Sequence, residues 1–178
     1  YSDEFSMKTK PVAINMVDID TYVPDYTWST GDGAWDFASA NWGGVYTDGS
    51  KVLFNSLDNV EVTLNETVSP VSIVVDGDST TTISGTGVIS GAASVNKTGE
   101  GTLVLNGKNT YTGQTVIHEG TIEFNSLANG GTASAIGASS EFAQNWVWDG
   151  GVWDYTGSSV ATNRQALAYE QTEFNISN

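Results

Sequence analysis

Between Asn96 and Phe124 the chain reads Asn96-Lys-Thr-Gly-Glu-Gly-Thr-Leu-Val-Leu-Asn-Gly-Lys-Asn-Thr-Tyr-Thr-Gly-Gln-Thr-Val-Ile-His-Glu-Gly-Thr-Ile-Glu-Phe124. Apolar and polar residues alternate over three or four positions, and a small polar residue or Glu followed by Gly closes each run. Strands this short bury too little to stand alone, so they must stack on copies of themselves. The pattern predicts an all-β chain, a right-handed parallel β-helix (β-solenoid) with aromatic-rich terminal coils.

The rhythm runs from Val52 to Asn125. Its punctuation falls at Asp76-Gly77, Ser84-Gly85, Ser90-Gly91, Thr98-Gly99, Asn106-Gly107, Thr112-Gly113 and Glu119-Gly120. Between these lie apolar-polar runs such as Ile73-Val-Val, Thr102-Leu-Val-Leu and Thr121-Ile-Glu-Phe. With 20 glycines and 3 prolines in 178 residues, glycine makes the turns.

Two divisions follow, a linker or extended arm over residues 1–26 and a parallel β-helix module over 27–178. The arm holds Pro11 and Pro24, and its Val12-Ala-Ile-Asn-Met-Val-Asp-Ile19 is the one stretch suited to an added strand. An aromatic block follows at Trp28, Trp35, Phe37, Trp42, Tyr46 and Phe54. Glycines 31, 33, 43 and 44 exclude a helical heptad there, leaving a strand-and-loop cap. Past a looser stretch at 126–144, Asn145-Trp-Val-Trp-Asp-Gly150 lays over Thr102-Leu-Val-Leu-Asn-Gly107. Val152-Trp-Asp-Tyr155 lays over Thr121-Ile-Glu-Phe124. Trp146 and Trp148 thereby take the places of Leu103 and Leu105, and Trp153 and Tyr155 those of Ile122 and Phe124.

Lys97-Thr-Gly-Glu-Gly-Thr-Leu-Val-Leu-Asn-Gly-Lys-Asn-Thr-Tyr-Thr-Gly-Gln-Thr-Val-Ile-His-Glu-Gly-Thr-Ile resembles the passenger-associated, or autotransporter-associated, β-strand repeat of bacterial surface proteins. With its aromatic flanks the resemblance covers the chain from Trp28 onward. It implies a right-handed parallel β-helix in an exported protein, secreted or on the bacterial cell surface. The repeat serves adhesins, enzymes and accessory modules alike, so it implies no activity. The chain also resembles, more loosely, the β-helical carbohydrate-binding modules of xylan-degrading enzymes.

Net charge is −15, from 6 basic and 21 acidic residues. That field repels phosphate backbones and anionic headgroups, so neither nucleic acid nor membrane insertion is expected. It disfavours polyuronates as well. No cysteine is present, and the lone histidine, His118, leaves zinc without a ligand set. His118 reads as an outward residue with no partner and no catalytic role. The carboxylate pairs Asp76/Asp78, Asp32/Asp36 and Asp149/Asp154 sit beside turn glycines, where Asp bonds to its own backbone. No catalytic residue, metal or cofactor is expected.

The aromatics carry the functional expectation. All 6 tryptophans fall in two blocks. Sugar rings stack on such side chains while Asp, Asn and Gln bond to hydroxyls. Candidate carbohydrate-binding residues are Trp28, Trp35, Trp42, Trp146, Trp148, Trp153, Tyr155 and Asp149. They suit a noncatalytic module that targets a covalently linked glycoside hydrolase to a neutral plant polysaccharide, xylan or another hemicellulose. The alternatives are a structural or adhesin solenoid segment of a surface protein, and a small polysaccharide hydrolase or lyase. The four aromatics of the second block sit at inward positions. A lumen sized for Leu and Ile must therefore widen there or turn some rings outward.

Overall fold

A computed structural model describes residues 17–169 and 171–177. The expected arm falls largely on residues 1–16, outside the described residues, as does most of the segment Val12–Ile19. The described chain is a parallel β-solenoid. One seven-stranded sheet holds β1 (Tyr26–Thr27), β3 (Lys51–Phe54), β6 (Ser72–Val75), β9 (Ser94–Lys97), β11 (Thr115–Ile117), β13 (Trp146–Trp148) and β15 (Leu167–Ala168) in that order. A second holds β2 (Gly33–Ala34), β4 (Val60–Thr63), β7 (Thr81–Ser84), β10 (Thr102–Leu105), β12 (Thr121–Phe124), β14 (Val152–Tyr155) and β16 (Glu173–Ile176). A short third face pairs β5 (Thr67–Val68) with β8 (Val88–Ile89). A single 3₁₀ turn, Ala143–Asn145, interrupts the strands. No helix among the described residues is long and apolar enough to cross a membrane.

Successive coils stack like on like. Ser72 pairs with Ser94 and Val95 with Thr115, steps of 22 and 20 residues. Inside, each side chain rests on its counterpart one coil away. Val60, Thr81, Leu103, Ile122, Trp153 and Phe174 form one column of the second sheet. The punctuating glycines sit at the corners, where a turn of one coil lies against the turn below. Gly120 adopts φ +71°, and a Cβ there would collide with the Gly101 carbonyl. Only glycine fits both conditions.

Two further residues of the repeat are buried at its turns. Asn109 is buried; its Oδ1 accepts from the Ile89 amide at 3.0 Å and its Nδ2 donates to the Ala135 carbonyl at 2.9 Å. Tyr111 fills the third corner, with its hydroxyl 2.8 Å from Thr115 Oγ1.

Lys97 is wholly enclosed, stacked between Val75 and Ile117 on the lumen side of the first sheet. Its Nζ donates to the Gly99 carbonyl, capping the turn from within. Burial pulls its ammonium down to about 8 against the favourable fields of Asp76, Glu119 and Asp78.

Past the first cap, the repeat widens once. Thr115 pairs with Trp146, a step of 31 residues, and the extra length is the loop over 126–145. Ala135 and Ile136 of that loop are buried in the core. Arg164, also buried, pins it: the guanidinium donates to the carbonyls of Ala128 at 3.0 Å and Gly137 at 2.9 Å and to Ser139 Oγ at 3.0 Å. The added wall makes room for the four aromatics, whose rings turn inward.

That loop also corrects the register expected for the second block. Trp146 and Trp148 stack on Thr115 and Ile117 of the first sheet, not over Leu103 and Leu105 of the second. Trp153 and Tyr155 do stand on Ile122 and Phe124. The ten residues 146–155 repeat 115–124 position for position, with Gly151 on Gly120 as the fixed point; counting back from it gives the observed pairing.

Lys97 makes the fold's stability depend on pH. The folded chain holds this proton more loosely than the unfolded chain, whose lysine titrates near 10.5, so raising the pH from about 8 favours folding. Above pH 10 the gain reverses, because burial holds Tyr46 and Tyr111 protonated in the fold. Chemical denaturation at half-unit pH steps should show the midpoint rising between pH 8 and 10. Lys97→Met should remove that rise.

Candidate functional site

The first aromatic block closes one end of the lumen; the second fills the coil on which β15 and β16 stack. At the first, Trp28, Trp35, Trp42, Tyr46 and Phe54 form one interlocked cluster. Trp28 and Trp42 meet edge to face at 4.8 Å, Trp35 and Trp42 at 5.0 Å, and Trp35 and Tyr46 at 5.4 Å. Trp28, Trp35 and Trp42 are 4, 0 and 3% exposed, so none offers a ring face to a ligand in this structure. The Trp28 indole donates to the Gly31 carbonyl at 3.0 Å, which fastens the first loop over the opening.

The second block divides. Trp153 is fully buried against Phe124 and Trp146, edge to face in both cases. Trp148 is half-buried and stacks on Phe174 with centroids 5.4 Å apart and planes 11° apart. Trp146, Trp148 and Tyr155 line a pocket of about 340 Å³ beside β16, with Leu127, Ser159, Val160, Thr162, Phe174 and Ile176. Here three of the predicted site residues share an accessible concavity. Its wall is apolar apart from three hydroxyls, of which that of Tyr155 donates to the Ser158 carbonyl at 2.6 Å and that of Thr162 to the Ala128 carbonyl at 2.9 Å. A sugar site needs convergent polar groups beside its stacking platform, and this wall supplies few.

Polar groups near those rings, Asp149 among them, have partners within the fold. The Gln144 carbonyl accepts from the Gln114 amide at 2.7 Å, and the Asn145 amide donates to Ser140 Oγ at 2.7 Å. Asp149 Oδ2 lies 2.9 Å from His118 Nδ1. His118 is therefore partnered and mostly buried, not the unpartnered outward residue expected. It stands one coil from Asp149 on the corner that follows the first sheet, where Thr98 Oγ1 likewise donates to Asp76 Oδ1 at 2.7 Å. The partner was hidden from sequence reasoning because the two residues are 31 apart, across the long loop.

Other carboxylates of the predicted pairs serve turns and ladders. Asp36 accepts from the Ala38 and Ser39 amides, which hold its carboxyl below the usual range. Asp32 accepts from the Glu61 amide at 2.9 Å and Asp154 from Ser177 Oγ at 2.7 Å. Among the described residues no group of three His, Cys, Asp or Glu is placed to hold a metal ion.

Residues 95–124 match the passenger-associated-transport-repeat family. The match spans β9 through β12, the corner glycines, Lys97, Asn109 and Tyr111. The chain is also similar to a Brucella suis biovar 1 (strain 1330) protein described as adhesin BmaC autotransporter, at 39% identity over 102 residues. Those residues are 57% of this chain and 3% of that protein. No solved structure matches.

The two blocks should respond differently to truncation. Trp35→Ala, which empties the first cluster, should cost about 3–5 kcal/mol of unfolding free energy. Trp148→Ala, at a half-open wall, should cost less than half as much. Urea unfolding of the two variants measures both.

Proposed function

We propose that this chain is a structural, non-catalytic β-solenoid segment of a secreted or surface-displayed bacterial protein, a rigid spacer that holds neighbouring parts of its polypeptide at fixed distance and orientation. The observation that carries this reading is the use of the repeat's signature groups. The glycine corners and Asn109 are used between coils, and the Tyr111 hydroxyl and the Lys97 ammonium are used within their own turns. The matched family and the adhesin relative support an exported passenger setting. Each coil adds about 4.8 Å along the axis, so length is set by coil number and little else.

A second reading, binding of a neutral polysaccharide such as xylan by the pocket at Trp146, Trp148 and Tyr155, is favoured by one observation, the accessible aromatic wall. Its sparse polar lining places it behind the spacer reading.

Affinity electrophoresis decides between them. The isolated chain should migrate unretarded through xylan, mixed-linkage β-glucan, glucomannan and polygalacturonate, and should release no sugar from any of them. Retardation in a neutral gel that Trp148→Ala abolishes while the fold persists would overturn the spacer reading in favour of binding.

A further inference from the structure

Three asparagines stand two residues before a Ser or Thr with no proline between: Asn65-Glu-Thr67, Asn96-Lys-Thr98 and Asn175-Ile-Ser177. In exported proteins that triplet is the acceptor at which an activated sugar is joined to the asparagine amide. The triplet alone selects nothing. A transferase must reach the amide nitrogen and read the hydroxyl two residues on, so both groups have to be accessible and uncommitted.

The fold separates the three. Asn96 lies in β9 at 1% exposure, and its Nδ2 donates to Ser94 Oγ at 3.5 Å. The hydroxyl of Thr98 donates to Asp76 Oδ1 at 2.7 Å. No sugar fits against that buried amide. Asn175 is half-buried within β16, paired with Asp154 of β14, and the Ser177 hydroxyl donates to Asp154 Oδ1 at 2.7 Å. By contrast, Asn65, Glu66 and Thr67 are all exposed, on the corner between β4 and the start of β5. Nothing among the described residues bonds to Asn65 Nδ2 or to the Thr67 hydroxyl.

The Asn65 side chain is held by its other end. Its Oδ1 accepts from the Thr86 amide at 3.2 Å and from the Thr86 hydroxyl at 3.3 Å, one coil on. The nitrogen is thus the free end of a positioned amide. An N-glycosidic bond replaces one N–H and keeps the carbonyl oxygen, so both contacts to Thr86 survive the modification.

We propose that Asn65 is an N-glycosylation site of this chain, with Thr67 as its recognition hydroxyl. The donor is a sugar esterified at its anomeric carbon to a diphosphate. Asn65 Nδ2 forms a bond to that carbon, and the carbon–oxygen bond to the diphosphate breaks. The diphosphate leaves with the electron pair, and one amide proton passes to a base of the transferase. The sugar stands on a corner, outside the two large sheets. The spacer therefore keeps its stack and its length while gaining a hydrated projection.

The test offers the folded chain two diphosphate donors. One arm uses a soluble asparagine glycosyltransferase with UDP-glucose, the other a membrane oligosaccharyltransferase with a lipid-diphosphate oligosaccharide. Synthetic peptides spanning each triplet run in parallel, and peptide mass mapping reads the sites. In at least one arm the folded chain should carry a single glycan, at Asn65, with Asn96 and Asn175 bare; the arm that works assigns the donor. Asn65→Gln should abolish the modification. So should Thr67→Ala, which removes an exposed hydroxyl that holds nothing in the fold. The urea midpoint of the modified chain should match that of the bare one. A folded chain left bare in both arms while its Asn65 peptide is modified overturns the proposal, as do peptides left bare in both. Sugar on Asn96 or Asn175 in place of Asn65, or full occupancy in Thr67→Ala, overturns it equally.

Discussion

Everything in this molecule depends on one coil resting on the next. The backbone ladder is parallel throughout the two large sheets, and the same side-chain position recurs every 19 to 22 residues except where the ladder crosses the long loop or the first cap. A coil of this kind has no core of its own. Its inward residues become buried only when a neighbour supplies the opposing layer, so stability resides in the interface between coils. Corner glycines are obligatory because turns stack backbone on backbone. Asn109 is spent on joining its coil to an amide of the preceding coil and a carbonyl of the following loop. Even the buried ammonium of Lys97 is accommodated by the turn it caps.

The two ends break that rule in opposite ways. The first coil cannot find a preceding neighbour among the described residues and substitutes a mass of rings, Trp28, Trp35, Trp42, Tyr46 and Phe54, locked edge to face. The later coil swells to take Trp146, Trp148, Trp153 and Tyr155, and a pinned loop supplies the missing wall. Aromatic enrichment in such a chain therefore reads first as end-packing. A ring serves a ligand only where it keeps an open face, which narrows the accessible candidates to the wall around Trp148.

Much of the architecture is legible in the residues because sterics and periodicity speak locally. The Gly-closed runs mark the corners, and Thr121-Ile-Glu-Phe over Val152-Trp-Asp-Tyr is recoverable because both strands follow a turn of the same length. Pairing across the loop is not local. Trp146 landed on the wrong sheet when aligned by strand content alone, and the His118–Asp149 contact depends on the same uncounted insertion. A further signal lies in the strands of the first sheet. Ile73-Val-Val, Val116-Ile and Trp146-Val-Trp place apolar residues side by side, as a strand buried on both faces requires. Those runs match the buried outward residues Val74, Val116 and Val147 of the first sheet.

The most direct test of the central claim, that the aromatic blocks pack the solenoid's ends and leave ligand contact to Trp148 at most, is acrylamide quenching of intrinsic tryptophan fluorescence. The native chain should show strong protection of most of its emission, unchanged by saturating xylan, with the quenchable fraction removed by Trp148→Phe. Emission quenched as fully as in the denatured chain, or protection that appears only when polysaccharide is added, would contradict it.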